Sequence, residues 1–260
     1  MIVDSHCHLN HFSQEEVEKV ITNAKESGVG IMQTICTTIS EFADLLKIAH
    51  SYTQVYTSVG VHPSNAAAGE YISAEDLIKL TTDKEVIGIG ETGLDFYKQG
   101  NAGKQMKSFL AHIEAAREIG LPLIIHARAA DEEMINVLES EMKKGPFTAV
   151  MHCFASSDKL AQKAIELGLY ISFSGIITFK NAKVIRDIAT SIPYERVLVE
   201  TDSPYLSPEP HRGKKNEPAM TKYVVDCLAK LWDKSSQEVE VITTNNFFEL
   251  FTKVKIEKVE

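Results

Sequence analysis

Val86-Ile-Gly-Ile89, then residues 104–119 with Met106, Phe109, Leu110, Ile113 and Ala116, then Gly120, Pro122 and Leu123-Ile-Ile125 make the stretch that decides the fold. Its outer pieces are short, apolar and rich in β-branched residues, as buried strands are. The middle piece repeats apolar residues three and four apart, which puts them on one face of a helix. Gly120 followed by Pro122 ends that helix, because glycine accepts the left-handed C′ position and proline cannot continue it. Strand, helix and strand in succession form a βαβ unit, whose strands run parallel.

The same alternation extends in both directions. Strand-like runs fall at 2–7, 30–35, 55–61, 86–89, 122–125, 148–151, 170–173 and 197–199, with amphipathic segments between them. Ser13 with Glu16 and Ser235 with Glu238 read as capping boxes at two helix starts. Eight βα units in 260 residues predict a single domain over 1–260, a (β/α)8 TIM barrel, rather than an open doubly wound sheet. Residues 235–251 read as a C-terminal helix covering the barrel. The one long polar connection, 203–218, has the length of a functional loop.

Composition excludes several classes. Apolar residues are 44% and charged residues 24%, ordinary for a globular protein. Net charge is −9, so a basic face tracking nucleic-acid phosphates is not expected. The four cysteines, Cys7, Cys36, Cys153 and Cys227, form no CxxC pair, which predicts a reduced, cytoplasmic chain without a disulfide scaffold. No apolar run is long enough to cross a membrane. Walker and GxSxG motifs are absent and no GxGxxG opens a helix; Gly88-Ile-Gly90-Glu-Thr-Gly93 reads as a tight strand-end turn around Glu91.

The histidines carry the functional signal. His6 and His8 close the first run, His62 the third, His126 the fifth and His152 the sixth; Glu91 closes the fourth and Asp202 the eighth. All strand C-termini of a barrel open on one face, so these residues should converge there. His6 and His8, two apart in a strand, face one side, and Cys7 points away as a core thiol. Imidazole and carboxylate donors without thiolates suit a catalytic divalent ion. Six candidate ligands exceed one tetrahedral ion, so a binuclear site with a bridging carboxylate fits better. Two divalent ions against Glu91 and Asp202 would leave the mouth at roughly +2, compatible with an anionic substrate. Arg128 and Arg212 are the nearby guanidinium groups suited to phosphate. His11 reads as a loop histidine, while His50 and His112 fall in helices.

These motifs resemble the TatD-related metal-dependent deoxyribonucleases, a branch of the amidohydrolase-like barrels. The resemblance rests on Asp4-Ser-His-Cys-His8, Val59-Gly-Val-His-Pro63, Gly90-Glu-Thr-Gly-Leu-Asp95, Gln105 with Phe109 and His112, Ile125-His126, His152-Cys-Phe154, Glu200-Thr-Asp-Ser-Pro-Tyr205 and the 211–218 segment. It implies one metal on His6, His8, Glu91 and Asp202 and a second on Glu91, His126 and His152. It places His62 beside the substrate phosphate and Arg212 in the loop over the mouth. It also implies hydrolysis of DNA, often from the 3′ end. One departure is Ala129, where the family commonly has an acidic residue.

The expected activity is therefore a deoxyribonuclease using two divalent ions (Zn, Mg, Mn, Fe or Ni) and a bridging hydroxide. A metal-dependent ester or amide hydrolase, such as a D-aminoacyl-tRNA deacylase, is the alternative, and a silent metal-binding protein the third reading. DNA ends are the expected partner, with low sequence specificity, since the one tryptophan, Trp232, sits in an outer helix. A monomer with no obligate partner is expected. Glu91 and Asp202 are the expected catalytic carboxylates, Asp202 taking or orienting the proton of the attacking water. His62, Arg128 and Arg212 are assigned to substrate.

Overall fold

Eight parallel strands follow one another around a barrel in chain order. In the computed structural model, which describes residues 1–97 and 100–254, they are β1 Ile2–Cys7, β2 Val29–Thr34, β3 Val55–Val59, β4 Val86–Asp95, β5 Leu123–Arg128, β6 Ala149–Met151, β7 Tyr170–Phe173 and β8 Val197–Val199. The helices are α1 Gln14–Glu26, α2 Phe42–Ser51, α3 Pro63–Ala68, α4 Ala74–Leu80, α5 Ala102–Ile119, α6 Asp131–Lys144, α7 Asp158–Glu166, α8 Lys183–Ser191, α9 Thr221–Trp232 and α10 Ser236–Leu250. The ring closes between β8 and β1 through a short parallel bridge of Cys7 with Ser203. Two backbone bonds reinforce it: His8 N–H to Ser203 O (2.8 Å) and Asp202 N–H to His6 O (2.9 Å). The first and last thirds of the chain thereby share one wall.

Local chemistry explains the boundaries. Both capping boxes form, Ser13 with Glu16 and Ser235 with Glu238. Gly120 ends α5 at φ 72°. The apolar layers are two. A large seam lies between helices and barrel, with Cys7, Leu45, Leu77, Phe109, Leu138 and Leu228 all fully buried in it. A second cluster fills the lower barrel with one residue from each strand: Val3, Ile31, Tyr56, Ile87, Ile124, Val150, Tyr170 and Leu198. Phe247, Leu250 and Phe251 cover this cluster, so α10 and its end close the barrel opposite the strand C-termini. Among the described residues, no helix is long and apolar enough to cross a membrane.

Two expectations need correction. The fourth strand runs on to Asp95 and the fifth to Arg128, so Glu91 and His126 stand inside strands rather than at their ends. The glycines of 88–93 explain the first case. A Cβ on Gly93 would stand 2.1 Å from the His126 carbonyl oxygen, and one on Gly60 would stand 2.5 Å from Gly90 Cα. They are close-approach positions within the sheet, not a turn that ends it. Conversely β3 stops at Val59, and His62 caps the N-terminus of α3.

Candidate active site

The floor of the mouth is made by β1, β4, β5, β6 and β8. The β1–β2 pairing slips between Asp4 and Cys7. Val3 packs in the lower core and Ser5 reaches Ser172 across the barrel at 3.3 Å. Strict alternation would therefore send His6 outward; the slip turns it inward. His6 is completely buried, as is Glu200, and His8 is nearly so. Asp202 holds a left-handed φ of 57°, a conformation that costs a Cβ-bearing residue about 1–3 kcal/mol. Its N–H bond to the His6 carbonyl fixes it in that conformation.

Glu91 is the hub. Its Oε1 lies 2.8 Å from His152 Nε2, 2.9 Å from His126 Nδ1 and 3.4 Å from His62 Nε2. Its Oε2 lies 3.5 Å from His6 Nε2. Asp202 Oδ1 stands 3.3 Å from His8 Nε2 and 3.7 Å from His6 Nε2. The His6 and His152 rings stack at 3.9 Å, nearly parallel, so the two halves of the site touch. Both nitrogens of His6 and Nδ1 of His8 are buried without a hydrogen-bond partner. Buried polar atoms are rarely left so. Nitrogen and carboxylate donors converging within 4.8 Å, as in His6–His8–Glu91 and His6–His152–Asp202, fit a divalent cation.

Charges within the cluster support one another. Burial pushes Glu91 up, but the neighbouring His152 and His62 and the hydrogen bonds from His126 and His152 outweigh it and hold the carboxyl well below its usual range. Burial pushes His152 down, yet the Glu91 charge and the Glu200 contact raise it well above an ordinary imidazole. His62 goes the other way: burial lowers it to about 4. Its Nδ1 accepts the Ser64 N–H at 3.1 Å, so the neutral ring carries its proton on Nε2, toward Glu91 and the cavity. That makes His62 a donor to substrate rather than a ligand, although it lies near Glu91 and His126.

A cavity of about 1080 Å³ opens above the hub. It contains most of the residues singled out in the sequence: His8, His62, Glu91, His126, Arg128, His152 and Asp202. Arg128 lies with its guanidinium 3.9 Å over the Tyr97 ring. Arg212 is not on the cavity wall; it sits 3.7 Å over Phe179 and donates to Ser207 O. The long loop instead contributes Tyr205 and Leu206. His11, read as a plain loop histidine, lines the cavity, stacks on His8 at 4.9 Å and meets the Tyr205 hydroxyl at 3.2 Å. The expected charge also changes. Asp95, Asp131, Glu132 and Glu133 join Glu91 and Asp202 on the wall against Arg128 alone. Two divalent cations would leave this mouth near neutral rather than at +2.

Sequence reasoning missed Asp95 and Glu200. Asp95 Oδ2 lies 3.4 Å from His126 Nε2, and Glu200 Oε1 lies 3.3 Å from His152 Nδ1. The signal was present in the period of two: Asp95 follows Glu91 by four residues and Glu200 precedes Asp202 by two.

Comparison with known proteins agrees with this geometry. The family model described as TatD related DNase matches residues 3–252. The chain is 40% identical over 255 residues to the uncharacterized metal-dependent hydrolase YcfH of Escherichia coli K12, covering 96% of this chain and 95% of that one. It is 30% identical over 241 residues to the 3′-5′ ssDNA/RNA exonuclease TatD of Escherichia fergusonii, covering 90% and 92%. Among solved structures, the TatD homolog YjjV of Escherichia coli K12 superposes with a TM-score of 0.86 at 25% identity, covering 96% and 98%. Because the match starts within β1 and runs past α10, it takes in the whole barrel, and the chain belongs to the TatD-related DNase family of metal-dependent hydrolases.

Proposed function

We propose that this protein hydrolyses phosphodiester bonds at the 3′ ends of single-stranded nucleic acid, DNA foremost, using two divalent cations. The observation that carries the reading is Glu91, whose two carboxylate oxygens face different histidines: Oε1 faces His126 and His152, Oε2 faces His6. One cation belongs with His6, His8, Glu91 and Asp202, the other with Glu91, His126 and His152. Such a pair supplies Lewis-acid stabilisation of developing negative charge and makes water a competent nucleophile near neutral pH.

The chain's own groups do the rest. Asp202 has its carboxylate at the cavity wall beside His8, placed to orient the attacking water and take its proton. His62 offers Nε2–H to a substrate oxygen. Arg128, backed by Tyr97 and without a carboxylate partner among the described residues, offers a two-pronged donor to the phosphate. Arg212 remains assigned to substrate only through the loop that carries it. The exonuclease named above, at 30% identity, supports the nucleic-acid substrate.

The acidic wall favours a second reading. Asp131, Glu132 and Glu133 would suit a substrate with a cationic group, such as the amine of an aminoacyl ester. Product mapping separates the two. The purified protein, incubated with 5′-labelled single-stranded DNA and a divalent metal, should release mononucleotides from the 3′ end and stop with chelator. Intact DNA beside hydrolysis of misacylated tRNA would give the site to ester hydrolysis. No turnover of either would leave a silent cation-binding protein.

A further inference from the structure

Asp95 and Glu200 are nearly or fully buried carboxylates beside the site, and neither is one of the six expected ligands. Each stands behind a histidine that faces Glu91. Glu200 Oε1 is 3.3 Å from His152 Nδ1, while His152 Nε2 is 2.8 Å from Glu91 Oε1. Asp95 Oδ2 is 3.4 Å from His126 Nε2, while His126 Nδ1 is 2.9 Å from the same oxygen. A carboxylate behind one ring nitrogen orients the ring, and once a cation takes the other nitrogen the remaining proton stays on the rear one. Both rear residues are held at the backbone, and Asp95 at its carboxylate as well; Glu200 Oε2 is buried without a hydrogen bond. Asp95 Oδ1 accepts the Tyr97 N–H at 3.0 Å, and Gln105 bonds both its N–H and its carbonyl at 2.9 Å. Glu200 donates its N–H to Phe173 O at 3.1 Å. The Glu200 contact is a hydrogen bond, while the Asp95 contact is an ion-pair approach that leaves His126 Nε2 buried without one; among the described residues, Nδ1 of His6 and of His8 has no hydrogen bond and no rear carboxylate within 4 Å.

We propose that Asp95 and Glu200 are positioning residues that hold the ring orientations of His126 and His152, so that the Glu91–His126–His152 half takes up a divalent cation first and more tightly than the His6–His8–Asp202 half. This rests on the two-cation reading above and adds to it an order of filling and its cause. Rings already oriented lose less freedom on binding, and a rear carboxylate raises the basicity of the ligating nitrogen. The His6 and His8 rings, held by stacking on His152 and His11, lack the rear carboxylate and its effect on basicity.

The test is calorimetric titration of metal-free full-length protein with Zn²⁺, against a competing chelator, read beside ring ¹⁵N shifts of the histidines. The wild type should show two steps, the first at least tenfold tighter, and at the first step His152 should lose its Nε2 proton and keep Nδ1–H. Glu200→Ala and Asp95→Ala should each weaken the first step about 10- to 100-fold. In Glu200→Ala the Nδ1 shift of cation-bound His152 should move, because its hydrogen-bond acceptor is gone. Glu200→Gln, whose amide oxygen still accepts from Nδ1–H, should recover most of the first step; it also serves as the test variant if the alanine protein does not fold. His8→Ala should remove the second step and spare the first. Two equal steps, or a Glu200→Ala protein with an unchanged first step and unchanged His152 ring shifts, would overturn the proposal. Uptake of a single cation at saturation would instead overturn the two-cation reading, and the order of filling with it.

Discussion

On one side of Glu91, His126 and His152 present ring nitrogens 3.3 Å apart, each with a carboxylate behind the ring. On the other side, His6 and His8 share the single carboxylate of Asp202, and three of their ring nitrogens are buried with no hydrogen-bond partner. The first side is nearer to finished as a polypeptide structure, with two such atoms of its own, His126 Nε2 and Glu200 Oε2. The second carries unmade hydrogen bonds, each costing about 1–3 kcal/mol when fully buried. The contrast follows from where the strands come from. His126 sits on β5 and His152 directly follows β6, and the pairing of these strands is continuous, Leu123 to Ile125 opposite Ala149 to Met151. His6 and Asp202 sit at the seam where the chain's two ends close the barrel, one after a slip in register and the other in a left-handed conformation.

The largest expected effect removes what the two sides share. Glu91→Ala takes away the oxygens facing both sets of histidines and should lower kcat more than about a thousandfold, with both cations depleted. Elemental analysis and turnover with metal in excess check this; a kcat within tenfold of wild type would erase the comparison, because the two sides would not be joined through Glu91.

The next effect separates the sides. Asp202→Asn keeps an oxygen donor but loses the proton acceptor, so kcat should fall about 10²- to 10⁴-fold while metal content drops only in part. His62→Ala, on the other side, should act mainly on KM. Kinetics on both variants, with metal content measured on the same samples, assign the roles; the reverse pattern would exchange them. Arg128→Ala should come third, raising KM about 10- to 100-fold through one lost charge-assisted contact, and leaving cation uptake on both sides unchanged.

The smallest effect on the site comes from a histidine outside it. His112 is fully buried, yet both nitrogens are used: Nδ1 donates to Ser108 O at 2.7 Å and Nε2 accepts the Val61 N–H at 3.0 Å. Burial lowers it to about 4. The unfolded chain, with an ordinary histidine near 6.5, binds the proton more readily, so stability is present above pH 6.5 and is lost as pH falls toward 4. The loss should be on the order of 3 kcal/mol over that range. Urea unfolding at pH 7 and pH 4.5 should show it, and His112→Gln should flatten the slope. An unchanged slope in the variant would mean that the fall comes from the site histidines instead.

Much of this was legible in the chain. The eight strands follow from β-branched runs, and the convergence of His6, His8, Glu91, His126, His152 and Asp202 follows from barrel topology once the runs are placed. Three things were not legible. The inward aim of His6 depends on a register slip that no residue pattern between Asp4 and Cys7 announces. The length of β4 was hidden because Gly88, Gly90 and Gly93 look like turn residues, whereas they are contact points with Gln33, Ile124 and His126. Arg212 is displaced by the path of the 203–218 loop, where no periodicity governs direction; its guanidinium settles on Phe179.

The most direct test of the bridging account is to grow metal-free crystals and soak them with Mn²⁺ at limiting and then saturating concentration, measuring anomalous scattering each time. The account predicts a first peak between Glu91 Oε1, His126 and His152, and a second, at higher concentration, between Glu91 Oε2, His6, His8 and Asp202. Peaks that leave Glu91 out, or a single peak that never becomes two, would contradict it.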